Sequence, residues 1–398
     1  MERRSIVVAG GGPTGLAVAL GLAQRGAEVT VLDRASAPSN APRALAYLHT
    51  VLPGFAELGV LDDIVAEAAI GDGMNFIDHD SGEAFHMTLD VIADDVPYAF
   101  VPQVGQDRVG QILLRHLAQF DNVEVLYDHD ITGISPEDAS VTVTVATAQG
   151  EKQFVADWLV GADGASSSVR RLLDLAFEGM TWPDKFVSTN VRANLGSAGM
   201  KIANWRIDPV YGAVIARYSD DNLWRFTYKE DAELPDEGLE ERIHEHFATA
   251  MPGNLPYELV QFAPYRIHQR ATESFRFGRV LLAGDAAHVT NPIGGLGLTG
   301  GFLDSFVLSE ALAAVVNGEA PDSVLDRYAE ERRRVFLEYV SPTASRNKGM
   351  LFDDHAPEVK QGMLGGLRHV LNDREVRRQD LLGWQAMVTP SVLSSAKG

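Results

Sequence analysis

The chain has 398 residues, no cysteine, and 34 Lys and Arg against 55 Asp and Glu, a formal net charge of −21 at pH 7. An acidic balance of this size repels nucleic acid and anionic membrane surfaces, and the absence of cysteine excludes disulfides, thiolate metal sites and a cysteine nucleophile. The length allows two folding units with a substantial core, and the composition, 45% hydrophobic and 22% charged, is that of an ordinary globular protein.

Ser5–Ala9 is a short apolar run that predicts a buried strand, followed by a glycine-rich turn, Gly10-Gly11-Gly12-Pro13-Thr14-Gly15, and a helical stretch over Leu16–Gln24. Gly26 stops that helix, Glu28–Leu32 predicts a second strand, and Asp33 and Arg34 follow at its end. Glycines at 10, 12 and 15 suit a tight turn, close approach of backbone to a pyrophosphate and close helix–strand packing, while Asp33 lies where a carboxylate accepts hydrogen bonds from a ribose diol. The stretch predicts a site for an adenine dinucleotide. It does not separate FAD from NAD.

A Ser, Pro and Asn-rich loop, 35–42, ends at Arg43, and 44–58 is expected to be helical. Residues 71–99 change to short alternating runs, 74–78 and 83–89, around the turn Asp80-Ser81-Gly82, and 105–120 returns to helical spacing. Strands are expected at 124–127, 140–146 and 152–156, with an apolar strand from Trp158 running into a polar turn at Asp163-Gly164. Residues 176–270 form a second block rich in β-branched and aromatic residues, interrupted by an amphipathic helix over 239–250. This pattern predicts a mostly antiparallel sheet with a helix on one face.

Arg279 opens a further strand of the nucleotide-binding unit, which runs into Gly284-Asp285. The glycine-rich stretch 291–301 follows, then a long helix over about 302–316 and a charged helical stretch over 323–340. The tail contains helical stretches at 364–371 and 381–387 and a Ser, Thr and Pro-rich end that is a candidate for disorder. No uninterrupted apolar stretch is long enough to span a bilayer. The best candidate, 307–316, contains Ser309 and Glu310. The apolar run after Met1–Arg4 is too short and glycine-rich for a signal peptide, so a cytoplasmic location is expected.

Three segments, the Gly10–Gly15 turn with its acid, the Asp163-Gly164-Ala165-Ser166-Ser167-Ser168-Val169-Arg170 turn and Gly284-Asp285, resemble the three fingerprints of the flavin-dependent aromatic hydroxylases, the group typified by p-hydroxybenzoate hydroxylase. The resemblance covers about residues 5–345. It implies an α/β fold with an FAD-binding Rossmann-like domain of the glutathione-reductase type, an inserted, mostly antiparallel substrate-binding sheet and C-terminal helices. The FAD-binding domain would comprise residues 1–70, 101–175 and 271–350; the substrate domain, 71–100 and 176–270; and a helical tail, 351–398.

Carried over by position, Asp33 would bind the adenosine ribose, with Arg34 beside it. Arg43 and Gln106 would hold phosphates and ribitol, Asp163 would serve flavin and nicotinamide cofactor, Asp285 would bind the ribitol, and Pro292 would sit beside the isoalloxazine. Gly295, Leu296, Gly297 and Leu298 open a helix whose amides would face the pyrimidine edge of the flavin, stabilising negative charge there by up to about 2 kcal/mol. Leu296 replaces a glutamine and Thr299 an asparagine frequent in the family, which leaves a backbone role intact. A rival reading makes Gly295, Gly297 and Gly300 a second dinucleotide fingerprint, but no acid-ended strand follows.

The implied chemistry is reduction of FAD by NADH or NADPH, formation of a flavin hydroperoxide with O2, and transfer of one oxygen atom to a small aromatic or N-heteroaromatic ring, with no metal required. The protein would exclude water and favour the ring's ionised form. Tyr211, Arg217 and Arg225, and further Tyr265 and His268, are candidates to bind or polarise the substrate, with Tyr211, Arg217 and Pro292 placed first; each has an alternative as a core or sheet-surface residue. His288 is not expected to be the base. The Trp-x-Trp-x-Ile-Pro motif of flavin halogenases is absent. Epoxidation, Baeyer–Villiger oxygenation and a non-catalytic flavin sensor remain alternatives, and a monomer or homodimer is expected.

Overall fold

A computed structural model of the chain describes residues 5–39, 44–219 and 221–394. Among them, two large sheets organise the molecule. The first has six strands in the order Arg276–Phe277, Val280–Leu282, Trp158–Gly161, Ser5–Ala9, Glu28–Leu32 and Val123–Leu126, parallel except for the Arg276–Phe277 edge. Its central strands, Ser5–Ala9, Trp158–Gly161 and Val280–Leu282, read as near-continuous apolar runs because both faces are covered there, which is the rule for parallel sheets.

Helices Pro13–Gln24 and Leu296–Val316 pack together over this sheet, and Gly21 is where they touch: a Cβ there would come within 2.4 Å of Ser309 Oγ. The helix Leu296–Val316 starts six residues before the expected Phe302. Glycine lowers helix propensity by about 1 kcal/mol per residue, but packing overrides it here. A Cβ on Gly301 would lie 2.6 Å from Thr14 Oγ1, and one on Gly300 3.2 Å from the His288 ring, so only glycine lets this end approach the first turn. By length and hydropathy this helix could cross a bilayer, yet 89% of its 18-residue apolar window is buried inside the fold.

The second sheet has eight strands, ordered His288–Val289, Glu258–Thr272, Phe177–Arg192, Leu223–Asp231, Ala213–Arg217, Ala203–Ile207, Gly73–Asp78 and Ala84–Thr88. It is antiparallel except where Ala203–Ile207 meets Gly73–Asp78, so the hairpin from the first quarter of the chain completes a sheet built mainly by residues 177–272. Helix Leu239–Ala250 covers one face through Leu239, Ile243 and Phe247; the other face turns toward the parallel sheet.

Two expectations fail for physical reasons. Residues 44–58 are helical only over Leu52–Glu57, because the preceding backbone pairs with the strand Val101–Gln103: Tyr47 N–H donates to Pro102 O at 3.1 Å and Val104 N–H to Leu45 O at 2.9 Å. The Ser, Thr and Pro-rich end is packed where it is described, up to Ser394, since Met387 and Val392 are buried in the core of the parallel-sheet unit; residues 395–398 of that expectation lie outside the described residues.

Candidate active site

Between the sheets lies a cavity of about 830 Å3, at the upper end of the range for ligand pockets. One wall comes from the three sequence segments singled out above. Gly10 takes φ +106° and its backbone crosses that of Ala162, so that a Cβ would meet Ala162 O at 2.4 Å; a Cβ on Gly15 would meet Gly10 O at 2.0 Å. Gly12 differs: a Cβ there would meet nothing within 4 Å, because the residue borders the cavity. Pro13 and Thr14 begin the helix at this border and line the same space.

Asp33, at the end of its strand, accepts from Gly11 N–H at 2.6 Å through Oδ2 and from Ala35 N–H at 2.8 Å through Oδ1. Each oxygen retains a lone pair, and both Asp33 and Arg34 line the cavity. Asp163 caps the short helix Ser168–Leu172, with Oδ2 accepting from Ser168 and Val169 N–H at 2.6 and 3.0 Å. Its Oδ1 is buried with no protein partner at the cavity wall. Gln106, the first residue of helix Gln106–Leu117, and Asp285, in the turn after Val280–Leu282, complete this wall. Arg43 lies outside the described residues.

Pro292 lies in the loop that closes one side. Fully buried Asn291 holds that loop, accepting from Ile293 N–H at 3.1 Å and donating to Gln269 Oε1 at 3.2 Å; Gln269 in turn donates to Ser341 and Ser345. Gly294 and Gly295 take φ of +101° and +68° and turn the chain into helix Leu296–Val316. Gly295, Gly297 and Leu298 border the cavity, so the positive end of this helix faces it. The Leu296 side chain points into the core behind, which leaves that residue a backbone role.

The opposite wall is the eight-stranded sheet. Ser188, Ala203, Val214, Ala216, Thr227 and Ala263 present small side chains, Trp205 lies on the same wall with its ring centroid 5.1 Å from that of Phe76 in an edge arrangement, and Arg225 lines the cavity among them. Arg225 is 5% exposed; its Nε–H donates to Asn190 Oδ1 at 2.7 Å, and burial lowers its pKa. Tyr218 O–H donates to Asp107 Oδ1 at 2.8 Å, and burial together with that carboxylate pushes the Tyr218 phenol up to about 12. Tyr265 and His268 also face the cavity, and burial, then Arg270 and Arg266, lowers the pKa of His268.

Tyr211 and Arg217 are not brought here. Strand residues alternate faces, and the register pairs Ala216 with Arg225 but Arg217 with Trp224. Ala216 and Arg225 therefore face the cavity, while Arg217 lines a separate surface groove with Lys201 and Trp224. Tyr211 packs against His79 and His246 near helix Leu239–Ala250. Sequence reading also passed over Asn291 and Gln269, whose roles are visible only as tertiary hydrogen bonds.

The wall fits FAD: an open backbone cradle at Gly12, a carboxylate at a strand end, an orphaned buried oxygen on Asp163 and a helix start suited to negative charge all open onto one space large enough for it. With that geometry, the chain is a member of the family described as FAD binding domain, which matches residues 3–342. Within it, the chain belongs with the flavin-dependent aromatic hydroxylases. It is 42% identical over 390 residues to 6-hydroxy-3-succinoylpyridine 3-monooxygenase of Pseudomonas putida, covering 98% of this chain and 99% of that one. To para-nitrophenol 4-monooxygenase of a Pseudomonas species it is 39% identical over 382 residues, 95% and 94% of the two chains. The crystal structure of p-nitrophenol 4-monooxygenase from Pseudomonas putida superposes with a TM-score of 0.94 at 37% identity, over 97% of this chain and 98% of that one.

Proposed function

We propose that the chain hydroxylates a small aromatic or N-heteroaromatic ring carrying an ionisable hydroxyl, consuming one NADH or NADPH and one O2 and releasing water. The observation that carries this reading is the single cavity with a flavin-binding wall on one side and, on the other, a floor of small residues around a buried arginine. Bound FAD would take electrons from the nicotinamide and activate O2.

The chain's own residues would do the rest. Gly12 and the helix start at Pro13 would receive the pyrophosphate, Asp33 the ribose, Gln106, Asp163 and Asp285 the remaining polar groups, and the amides at Gly297 and Leu298 negative charge on the ring system. Arg225, held by Asn190, would bind an anionic oxygen of the substrate and favour its ionised, electron-rich form. Ala203, Ala216 and Ala263 would leave room for a flat ring and Trp205 would limit its length, with the bound cofactor and substrate displacing water from the reacting atoms.

The relatives act on 6-hydroxy-3-succinoylpyridine and p-nitrophenol, so hydroxypyridines with acidic side chains and substituted phenols are the compounds to screen. Purified protein should carry FAD, and the right compound should stimulate NAD(P)H oxidation and yield a product heavier by one oxygen. A protein that binds no flavin, or whose NAD(P)H oxidation ignores every such compound, overturns the reading.

A further inference from the structure

Behind the cavity, three polar side chains are withdrawn from solvent together: Asp304 is fully buried, and His288 and Arg332 are each 1% exposed. Asp304, about two turns into helix Leu296–Val316, accepts through Oδ2 from Gly284 N–H at 2.9 Å and His288 Nε2 at 2.7 Å, and through Oδ1 from Arg332 Nε–H at 2.7 Å. Burial alone would raise its pKa, but His288 and Arg332 outweigh it and bring the carboxyl down to about 2.

Each partner leads somewhere useful. Gly284 sits at φ +58° and immediately precedes Asp285 on the cavity wall, so the bond from its amide fixes the turn that aims Asp285. The other end of Arg332 points away from the site: Nη1 donates to Met387 O at 2.7 Å and to Thr389 Oγ1 at 2.9 Å. Nη2 lies 3.5 Å from Gly300 O, in the first turns of the helix whose start borders the cavity. A buried guanidinium keeps its orientation only while its donors are satisfied, so the segment Met387–Thr389 determines where this fork sits.

From these bonds we propose that Asp304 and Arg332 are positioning residues for FAD, and that Met387–Thr389 is a strap which holds Arg332 and, through Asp304, the Gly284-Asp285 turn. The C-terminal segment thereby belongs to the flavin-binding machinery although it does not line the cavity. The inference rests on the reading that this cavity binds FAD.

The test uses full-length protein stripped of flavin and titrated with FAD, following flavin fluorescence for the dissociation constant and melting temperature with and without FAD. Thr389→Val removes the hydroxyl at nearly constant volume and should raise the FAD dissociation constant about 3- to 10-fold, the equivalent of one net hydrogen bond, and shrink the FAD-induced rise in melting temperature. Thr389→Ser should restore both. Asp304→Asn should weaken FAD further; because it strips a buried arginine of its counter-charge and can prevent folding, Thr389→Val decides the question. If Thr389→Val melts earlier with and without FAD by the same amount and binds FAD as the parent does, the segment is only structural and the strap is wrong. A parent protein that binds no FAD at all fails the flavin reading itself, a different result from a parent that binds and a variant that binds equally well.

Discussion

Arg225 and Arg217 sit eight residues apart on neighbouring strands, and which of them faces the cavity is decided by parity. Arg225→Met should lower kcat/KM for an ionisable phenol about 100-fold, the cost of losing a charge-assisted hydrogen bond, with FAD affinity unchanged. Arg217→Met should leave kcat/KM within about threefold, since surface substitutions away from a site have small effects. Steady-state kinetics on the two variants checks this, and the reverse ranking would return the role to Arg217.

His49 offers a second test at this scale. It is 2% exposed, stacked on Trp384, and burial lowers its pKa from 6.5 to about 4. The unfolded chain therefore binds the extra proton between those values and the folded chain does not, so stability falls as pH drops from about 6.5 toward 4. The full effect is about 3 kcal/mol. Urea unfolding at pH 7 and pH 4.5 should show His49→Phe losing measurably less stability on acidification than the parent; His246, lowered to about 4 by burial and then by Arg206, accounts for some of what remains.

At the scale of elements, strand–turn–helix at the start of the chain was legible because local rules and tertiary packing agree there. The strands Ser5–Ala9 and Glu28–Leu32 and the helix Leu239–Ala250 have the bounds their patterns predict. Disagreement arises where distant backbone intervenes, as at Tyr47 paired with Pro102, or where glycines serve close packing inside a helix, as at Gly300 and Gly301. The first turn also permits a separation of folding from binding. Gly12 has ordinary extended backbone angles, φ −79° and ψ 172°, and open space where a side chain would go. Gly12→Val should fold with a melting temperature near the parent's and yet bind FAD at least tenfold more weakly. Gly10→Ala should be destabilised outright, because φ +106° and the contact with Ala162 leave no room for a methyl group.

At the scale of the whole molecule, the cavity wall is assembled from residues near 10–16, 106–110, 163–168 and 285–298, segments that are neighbours only in the folded state. FAD should therefore bind the native state alone and stabilise it by about 2.7 kcal/mol at a concentration 100 times its dissociation constant. A thermal melt with added FAD should rise by several degrees; no rise would mean the wall is not a flavin site.

By itself, the sequence determined the nucleotide-binding turn, the three flavin fingerprints and the character of the second sheet, because short-range periodicity and glycine placement are written in consecutive residues. Only the tertiary structure decided which arginine faces the cavity, that Leu296 turns into the core, and that Thr389 reaches the carboxylate network behind Asp285. A one-residue change of register exchanges the two faces of a strand, and buried hydrogen bonds between distant residues, such as those from Arg332 to Asp304, 28 positions before it, and to Thr389, 57 positions after it, leave no periodic trace in the chain.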